Sequence, residues 1–121
     1  MKIEYRHLIS RIDATHPTGA CLVALCAGEV VATLGLRLRE PGAYVNSLYV
    51  DAAYQQQGIG RQLLLRAAEL SYEMGKSTLG LAVHEANLPA RKLYKALGFR
   101  PHEWGEQEGY IRYVAFLPLF A

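Results

Sequence analysis

Residues 48–65 constrain the fold more than any other part of the chain, because three structural signals follow one another there. LYV ends a run of β-branched and aromatic residues typical of a strand, three glutamines follow, and Gly58-Ile59-Gly60 then opens an amphipathic helix. Glycines at a helix start leave backbone N–H groups accessible, and the helix dipole attracts negative charge. The segment therefore predicts a strand–turn–helix unit with an anion, such as a phosphate group, at the helix start.

The hydrophobic pattern on either side predicts an α/β fold with a mixed, mostly antiparallel central sheet and flanking helices. The expected strands cover residues 2–6, 20–27, 30–40, 43–50, 78–84 and 110–119. The first helix is expected over 59–74 with Gly75 after it, and the second from an N-cap at Asn87 to Gly98, with Pro89 in its first turn. Residues 7–19 are expected to form at most one helical turn and a loop.

Composition fits one globular domain over residues 1–121, with half the residues hydrophobic and a net charge of only +2. That charge gives no reason to expect nucleic acid or a membrane surface as a partner, and no apolar run reaches membrane-spanning length. The N-terminal residues lack the apolar core of a secretory signal. Cys21 and Cys26 are five apart, which suits neither a zinc site nor a redox pair. They are expected to be buried free thiols in a reducing, cytoplasmic setting.

The glycine turn on its own leaves more than one interpretation open. A nucleotide-triphosphate loop needs lysine and then Ser/Thr after the last glycine, but Gly60 is followed by Arg61 and Gln62. A dinucleotide fingerprint needs a third glycine where Leu63 stands. Both are excluded, and the residues alone leave either a different anion site or a turn that only connects a strand to a helix.

Two motifs, about 30 residues apart, carry a resemblance to a known family. The first, QQQGIG at residues 55–60, is similar to a Gln/Arg-x-x-Gly-x-Gly/Ala pattern, with LYV before it and the helix GRQLLLRAAE after it. The second, NLPARKLYKALGF, is similar to Asn-x-x-Ala-x-x-x-Tyr-x-x-x-Gly-Phe. Together they resemble the GNAT superfamily of acyl-CoA-dependent N-acyltransferases, over roughly residues 20–121.

The resemblance implies that acetyl-CoA is the co-substrate and that no metal is needed. Backbone groups of Leu48 and Val50 would pair with the pantetheine arm, the amides after Gln55 would hold the pyrophosphate, and Asn87 would bond the arm as well as cap its helix. Arg91 and Lys92 would either add charge near the phosphates or form a solvated helix face. The cofactor-binding residues implied are Leu48, Tyr49, Val50, Gln55, Gln56, Gln57, Gly58, Ile59, Gly60, Arg61 and Asn87.

Tyr94 is the residue to which the resemblance gives a chemical role. It lies seven residues after Asn87, so that both can face one groove. A phenol is protonated at neutral pH and can protonate a departing thiolate. Helical periodicity alone also allows a core tyrosine with its hydroxyl at the surface. The resemblance favours the general acid.

The general base and the acceptor are less well defined. Family members commonly carry a glutamate on the fourth strand, where this chain has Asn46 and Ser47. The amine then arrives neutral, or another group serves; the candidates are His84, Glu85, Glu103, Glu106 and Tyr113. Family members also place two helices between the first two strands, for which residues 7–19 are too short. The acceptor site is therefore expected to be open, or completed by the loop at 100–109 or by a second subunit in a homodimer.

Three functions follow, in order of preference. The first is direct acetyl transfer from acetyl-CoA to a primary amine of a small molecule or peptide, with a backbone N–H near Val50 polarising the thioester and Tyr94 as the acid. The second is an acyl-CoA-binding regulatory module with little or no catalysis. The third is a structural partner in an assembly.

Overall fold

The computed structural model describes residues 2–11, 17–102 and 108–119, which form a seven-stranded sheet with two α-helices. The elements are β1 (Ile3–Arg11), β2 (Pro17–Cys26), β3 (Glu29–Leu38), β4 (Gly42–Val50), a 3-10 turn (Ala52–Tyr54), α1 (Ile59–Glu73), β5 (Thr78–His84), α2 (Leu88–Ala96), β6 (Arg100–His102) and β7 (Tyr110–Phe116). The strand order is β1-β2-β3-β4-β5-β7-β6, and only β4 and β5 pair in parallel. This confirms the predicted mixed, mostly antiparallel α/β architecture.

The helix α1 forms as its periodicity predicts. Its apolar stripe is buried, and Gly75 follows it with a positive φ of +81°, which a glycine adopts without steric cost. The buried stripe consists of Ile59, Leu63, Leu64, Ala67, Ala68 and Leu70. Because α1 contacts β2, β3 and β4, this stripe closes the core over that half of the sheet.

Both helices lie on the same face of the sheet. Leu22 and Leu34 are paired across β2 and β3, are buried, and belong to the face that α1 contacts. On the other half, α2 places Tyr94 against the ring of Tyr113, at 6.1 Å between ring centroids. Tyr113 is paired with Leu81, a buried residue of β5 on this same face.

The opposite face is here called the open face, because in the described part of the chain no helix lies on it. Its residues include Leu8, Cys21 and Ser47, which stand in one row across β1, β2 and β4 and are exposed. Cys21 was expected to be buried; that prediction is wrong, because Cys21 points to the open face between the buried residues Ala20 and Leu22. Both cysteines are free, as expected, and Cys26 is half-buried.

Three further features differ from the expectations. Residues 7–19 were expected to form at most one helical turn and a loop. Instead β1 continues to Arg11 and β2 begins at Pro17, because the pairing of the two strands satisfies their backbones and places Ile9 opposite Ala20. The strand β6 was not expected; all three of its residues are exposed, so it forms through backbone pairing with β7 and leaves no hydrophobic pattern. The expected strands at 20–27 and 30–40 leave Gly28 and Glu29 between them, but the turn lies one residue earlier, at Ala27-Gly28, where both φ angles are positive.

We predict that Leu64→Ala destabilises the fold by about 2–5 kcal/mol, because Leu64 is fully buried beneath α1 and its truncation leaves a cavity. The exposed neighbour Gln62 provides the control, and Gln62→Ala should change the free energy of unfolding by less than about 0.5 kcal/mol. Urea denaturation measures both. Equal losses for the two variants would contradict the packing described for α1.

Candidate active site

A groove opens where β4 and β5 separate. The two strands pair only through residues 42–44 and 78–80 and diverge beyond them, leaving a groove of about 460 Å³. Its walls include residues of both faces of the sheet, such as Leu81 on the covered face and His84 on the open face. The groove therefore passes through the sheet, from the side of the helices to the open face. It is lined by Tyr44, Val45, Asn46, Ser47, Leu48, Leu81, Ala82, Val83, His84, Asn87, Tyr94 and Tyr110.

A β-bulge at Asn46 accounts for the divergence. Gly35 pairs with Ser47 and Leu36 with Val45, so that Asn46 is an extra residue on β4. Such a bulge bends its strand and increases the local twist. A side chain at position 35 would displace its neighbours across the bulge, since a Cβ on Gly35 would meet the Asn46 side-chain oxygen and would lie 2.6 Å from Ser47 Oγ.

Beyond the bulge, β4 has a free backbone edge. The Asp51 amide donates to the Val31 carbonyl at 2.9 Å, so that Asp51 and Tyr49 direct their backbone groups to β3. The backbone groups of Leu48 and Val50 therefore point into the gap, as the resemblance implies. The Val50 carbonyl accepts a hydrogen bond of 3.0 Å from Gln55 Nε2, while Tyr49 is turned toward β3 and its side chain is exposed on the open face.

The turn between β4 and α1 presents a run of unpaired amides. The first bond of the helix runs from the Gln62 amide to the Gly58 carbonyl, at 3.0 Å. In the part of the chain that the structure describes, the amides of residues 56–61 donate to no backbone carbonyl. Gln56 and Gly58 both have positive φ, +63° and +79°, which curls the chain into the concave turn that favours anion binding. No heavy atom outside the turn lies within 4 Å of a Cβ built on Gly58.

Asn87 and Tyr94 reach the groove from α2. Asn87 caps the helix as predicted, since its Oδ1 accepts from the Ala90 amide at 3.3 Å. Tyr94 is buried between the rings of Phe99 and Tyr113, yet it still lines the groove. Burial raises the pKa of the Tyr94 phenol, because the phenolate would lose its hydration. The geometry thus combines the core position and the groove position that periodicity left as alternatives.

The fold and this geometry agree with one family. The family model "Acetyltransferase (GNAT) family" matches residues 2–99. The chain belongs to this GNAT acetyltransferase family. In the part that the structure describes, neither helix is long and apolar enough to cross a membrane, and no cluster of three or more His, Cys, Asp or Glu side chains suits a metal ion.

Individual relatives agree with this assignment. The chain is 44% identical over 55 residues to thialysine N-epsilon-acetyltransferase of Bos taurus, a match that covers 46% of this chain and 32% of that protein. It spans about a third of the length of the curated relatives that it matches. The ribosomal-protein-S18-alanine N-acetyltransferase of Escherichia coli has the same fold, with a TM-score of 0.75 at 21% identity over 96% of this chain and 97% of that one. A GNAT acetyltransferase of Elizabethkingia anophelis, solved with acetyl-CoA bound, gives 0.73 at 19% identity over 83% and 77%.

The basic residues considered for phosphate contacts lie in different places. Arg61 is exposed in the first turn of α1, beside the unpaired amides. Arg91 is held elsewhere: its Nε donates to the Tyr113 hydroxyl at 3.2 Å and its Nη1 to the Glu85 carbonyl at 2.9 Å. Arg91 and Lys92 line a separate cavity of about 210 Å³. These contacts favour Arg61 over Arg91 near the turn.

The candidates for a general base also lie in different places relative to the groove. His84 lines the groove, but its Nδ1 accepts a hydrogen bond from the Ala86 amide at 3.1 Å. Tyr113 is 1% exposed, with its hydroxyl bonded to Arg91. Glu85 is exposed and is not among the residues that line the groove. Glu103 and Glu106 lie outside the described residues.

Two tyrosines of the groove were not anticipated. Tyr44 lies over Gly80, with 3.4 Å between its Cδ2 and a Cβ built there, and Arg112 stacks on its ring at 5.5 Å. Tyr110 pairs with His84 across β5 and β7 and makes an edge contact with its ring at 5.2 Å. The alternation of residues along the strands did not predict that these two side chains line the groove. The groove depends on a β-bulge, which no single residue type indicates.

Gly35→Ala should destabilise the protein by about 1–3 kcal/mol, since the new methyl group displaces the Asn46 and Ser47 side chains at the bulge. In an Asn46→Ala/Ser47→Ala background the same substitution should cost less than half as much, because the two oxygens that it meets are gone. Urea denaturation of all four proteins gives the coupling free energy. Additive effects would contradict the contact across Gly35.

Proposed function

We propose that this GNAT protein transfers an acetyl group from acetyl-CoA to a primary amine of a small molecule or peptide. The observation that carries the proposal is the separation of β4 from β5 directly before the unpaired amides of residues 56–61. An anionic carrier with an amide-containing arm fits both features, because the turn offers donors and the β4 edge offers backbone pairing.

In the proposed complex the pyrophosphate lies at the turn. The amides of residues 56–61 are unpaired and fixed by the helix start, so that binding an anion needs little ordering of side chains. The pantetheine arm lies along the backbone of Leu48 and Val50, and it takes the place of the Gln55 amide group at the Val50 carbonyl. Asn87 faces the same groove from α2 and donates its side-chain N–H₂ to the arm.

The proposed chemistry is direct attack without a covalent enzyme intermediate. The amine nitrogen attacks the thioester carbonyl, whose oxygen is polarised by the backbone N–H near Val50. The C–N bond forms and the C–S bond breaks, and the departing thiolate takes its proton from the Tyr94 hydroxyl. The attacking nitrogen, positively charged once the C–N bond forms, releases one proton to solvent, and the Tyr94 phenolate takes one back from solvent. Because burial raises the Tyr94 pKa, the phenol stays protonated throughout the neutral range and can serve as the acid.

A second candidate function is an acyl-CoA-binding regulatory module. It is favoured by one observation: Asn46 and Ser47 occupy the bulge of β4 that faces the groove, a position from which a carboxylate would draw a proton. In such a module the turn and the β4 edge would still bind acyl-CoA, but acetyl transfer would be slow. Thiol release across a panel of amines separates the two candidates.

The compartment and the assembly are also proposals. Cys21 is a free, exposed thiol, which supports the reducing environment of the cytoplasm. Leu8 is exposed on β1, at the edge of the open face and separated from β4 by β2 and β3, which supports a homodimer that covers this edge and leaves the groove accessible. Measuring the solution mass by light scattering tests the dimer.

Gly60→Glu should abolish acetyl-CoA binding in calorimetry, because the longer side chain enters the turn and its charge repels the pyrophosphate. Gly60→Ala is the matched control: a Cβ at Gly60 meets only Val50 Cγ2, at 3.8 Å, which is an ordinary contact. We expect this control to bind within about threefold of the native protein. Retained affinity in the glutamate variant would place the pyrophosphate elsewhere.

Tyr94→Phe should lower kcat by about 10²-fold and leave the Kd for acetyl-CoA nearly unchanged, since only the acid is lost. With the native protein, deprotonation of Tyr94 should reduce kcat only above about pH 10, because the pKa of its phenol is raised. Tyr72→Phe, an exposed tyrosine of α1, controls for the general effect of removing a hydroxyl. An unchanged kcat in Tyr94→Phe would remove Tyr94 from the mechanism.

A further inference from the structure

We propose that Arg91 is a positioning residue, which fixes the rotation of α2 so that the Tyr94 hydroxyl is directed at the departing thiolate. The inference rests on the proposed acetyl transfer with Tyr94 as the acid. It gives Arg91 a role different from the two that the sequence left open, a phosphate contact and a solvated helix face. It follows from the contacts that hold α2 on the sheet and from the place of Arg91 among them.

The helix α2 depends on tertiary contacts for its position. It has nine residues, of which Tyr94 is the buried one, and a helix of this length is marginal on its own in water. The Tyr94 ring packs against the rings of Phe99 and Tyr113, with 6.1 Å between centroids in each pair. Because hydrophobic packing is not directional, burial of this ring holds α2 on the sheet but does not by itself fix how the helix is rotated about its axis.

Arg91 supplies directional contacts on one side of α2. Its Nε donates to the Tyr113 hydroxyl at 3.2 Å, and its Nη1 donates to the Glu85 carbonyl at 2.9 Å. Both acceptors are themselves fixed: Tyr113 is buried in β7, and the Glu85 amide donates to the Gly109 carbonyl at 2.8 Å. One guanidinium therefore links α2 to β7 and to the turn between β5 and α2.

These contacts lie close to Tyr94 along and around the helix. Arg91 precedes Tyr94 by three residues, which places the two side chains about 60° apart around the helix axis, as neighbours on its surface. Both also contact Tyr113, since Arg91 bonds its hydroxyl and Tyr94 meets its ring edge-on. A rotation of α2 that moves the Tyr94 hydroxyl within the groove must therefore break the hydrogen bonds of Arg91.

The shape of the arginine side chain suits this role. A guanidinium is a rigid planar fork, so that its N–H groups can hold two acceptors at once, whereas a lysine ammonium is a single charged group on a flexible stem. Arg91→Lys therefore keeps the positive charge and loses the fork. If Arg91 acted by adding charge near the phosphates of the carrier, lysine would replace it. If it acts by fixing α2, lysine will not.

The loss of the fork should affect the acid more than the binding of the carrier. A general acid must lie within hydrogen-bond reach of the atom that it protonates, and small misplacements in such a geometry lower the rate strongly. The amides of residues 56–61, proposed to hold the pyrophosphate, belong to the turn before α1 and not to α2. The expected signature is a lower kcat with a nearly unchanged Kd for acetyl-CoA.

The first test measures kcat by thiol release and the Kd for acetyl-CoA by calorimetry. Arg91→Lys and Arg91→Met should each lower kcat by about tenfold and leave the Kd within about threefold of the native value. Lys95→Met is the matched control, because Lys95 is an exposed basic residue one turn further along α2 that lines the same cavity of about 210 Å³ as Arg91. Its kcat should stay native. A native kcat in Arg91→Lys would overturn the inference.

The second test repeats Arg91→Met in the Tyr94→Phe protein. With no hydroxyl left to position, the substitution should lower kcat there by less than about twofold, while its effect on the free energy of unfolding in urea should be the same in both backgrounds. An equal loss of kcat in the two backgrounds would assign Arg91 a structural role only and overturn the inference, with acetyl transfer intact. An unchanged kcat in Tyr94→Phe itself would contradict Tyr94 as the acid, and the inference with it.

A third measurement reports the position of Tyr94 without catalysis. In protein made with ring-labelled tyrosine, the Tyr94 signal in the NMR spectrum is identified by its absence in Tyr94→Phe. Arg91→Lys should shift or broaden this signal, and Lys95→Met should leave it in place. An unmoved signal in Arg91→Lys would overturn the inference, whether or not thiol is released. Acetyl-CoA binding without thiol release for any amine would contradict the proposed acetyl transfer itself, and the inference would fail with it.

Discussion

The arrangement of the site depends on one contact, that between Gly35 and the bulge at Asn46. The parallel pairing of β4 with β5 ends at Tyr44, two residues before this extra residue. The missing Cβ of Gly35 leaves space for the Asn46 and Ser47 side chains, so that the bulge is compatible with tight pairing of β3 and β4. This local mismatch between β3 and β4 accounts for three features of the site: the groove, the free edge of Leu48 and Val50, and the direction in which the chain enters the turn.

The groups that can bind the carrier and the group proposed to react lie in different parts of the site. At the turn, the groups that can bind an anion are backbone amides, which have fixed positions and need no particular side chain apart from the glycines that permit the geometry. At the groove, the group proposed to react is a side chain, Tyr94, which is buried between Phe99 and Tyr113 and whose phenol has a pKa raised by that burial. If these roles hold, acetyl-CoA binding and catalysis depend on different residues, Gly60 at the turn and Tyr94 at the groove.

Local sequence patterns were sufficient to predict the elements whose formation depends on interactions within a few residues. The stripe of α1, the apolar strand β5 and the Asn87 cap were predicted because periodicity, burial and capping act within a few residues. The extension of β1 to Arg11 and the existence of β6 were not predicted, because backbone pairing with a distant strand decides both. The motif with Gln55 and Gly60 identified the turn, but the groove walls formed by Tyr44 and Tyr110 result from strands that meet only in the folded sheet.

The handedness of the β–α–β connections explains why the open face, the side proposed for the acceptor, is accessible. The connections from β4 through α1 to β5, and from β5 through α2 to β6, both join parallel strands and both advance in the same direction across the sheet. Since such crossovers are right-handed, the two helices must lie on the same face. Among the described residues no helix lies on the other face, and both described helices lie on one side of the groove. In the proposed complex, a donor molecule that binds at the helix start and along α2 leaves the open face to the acceptor.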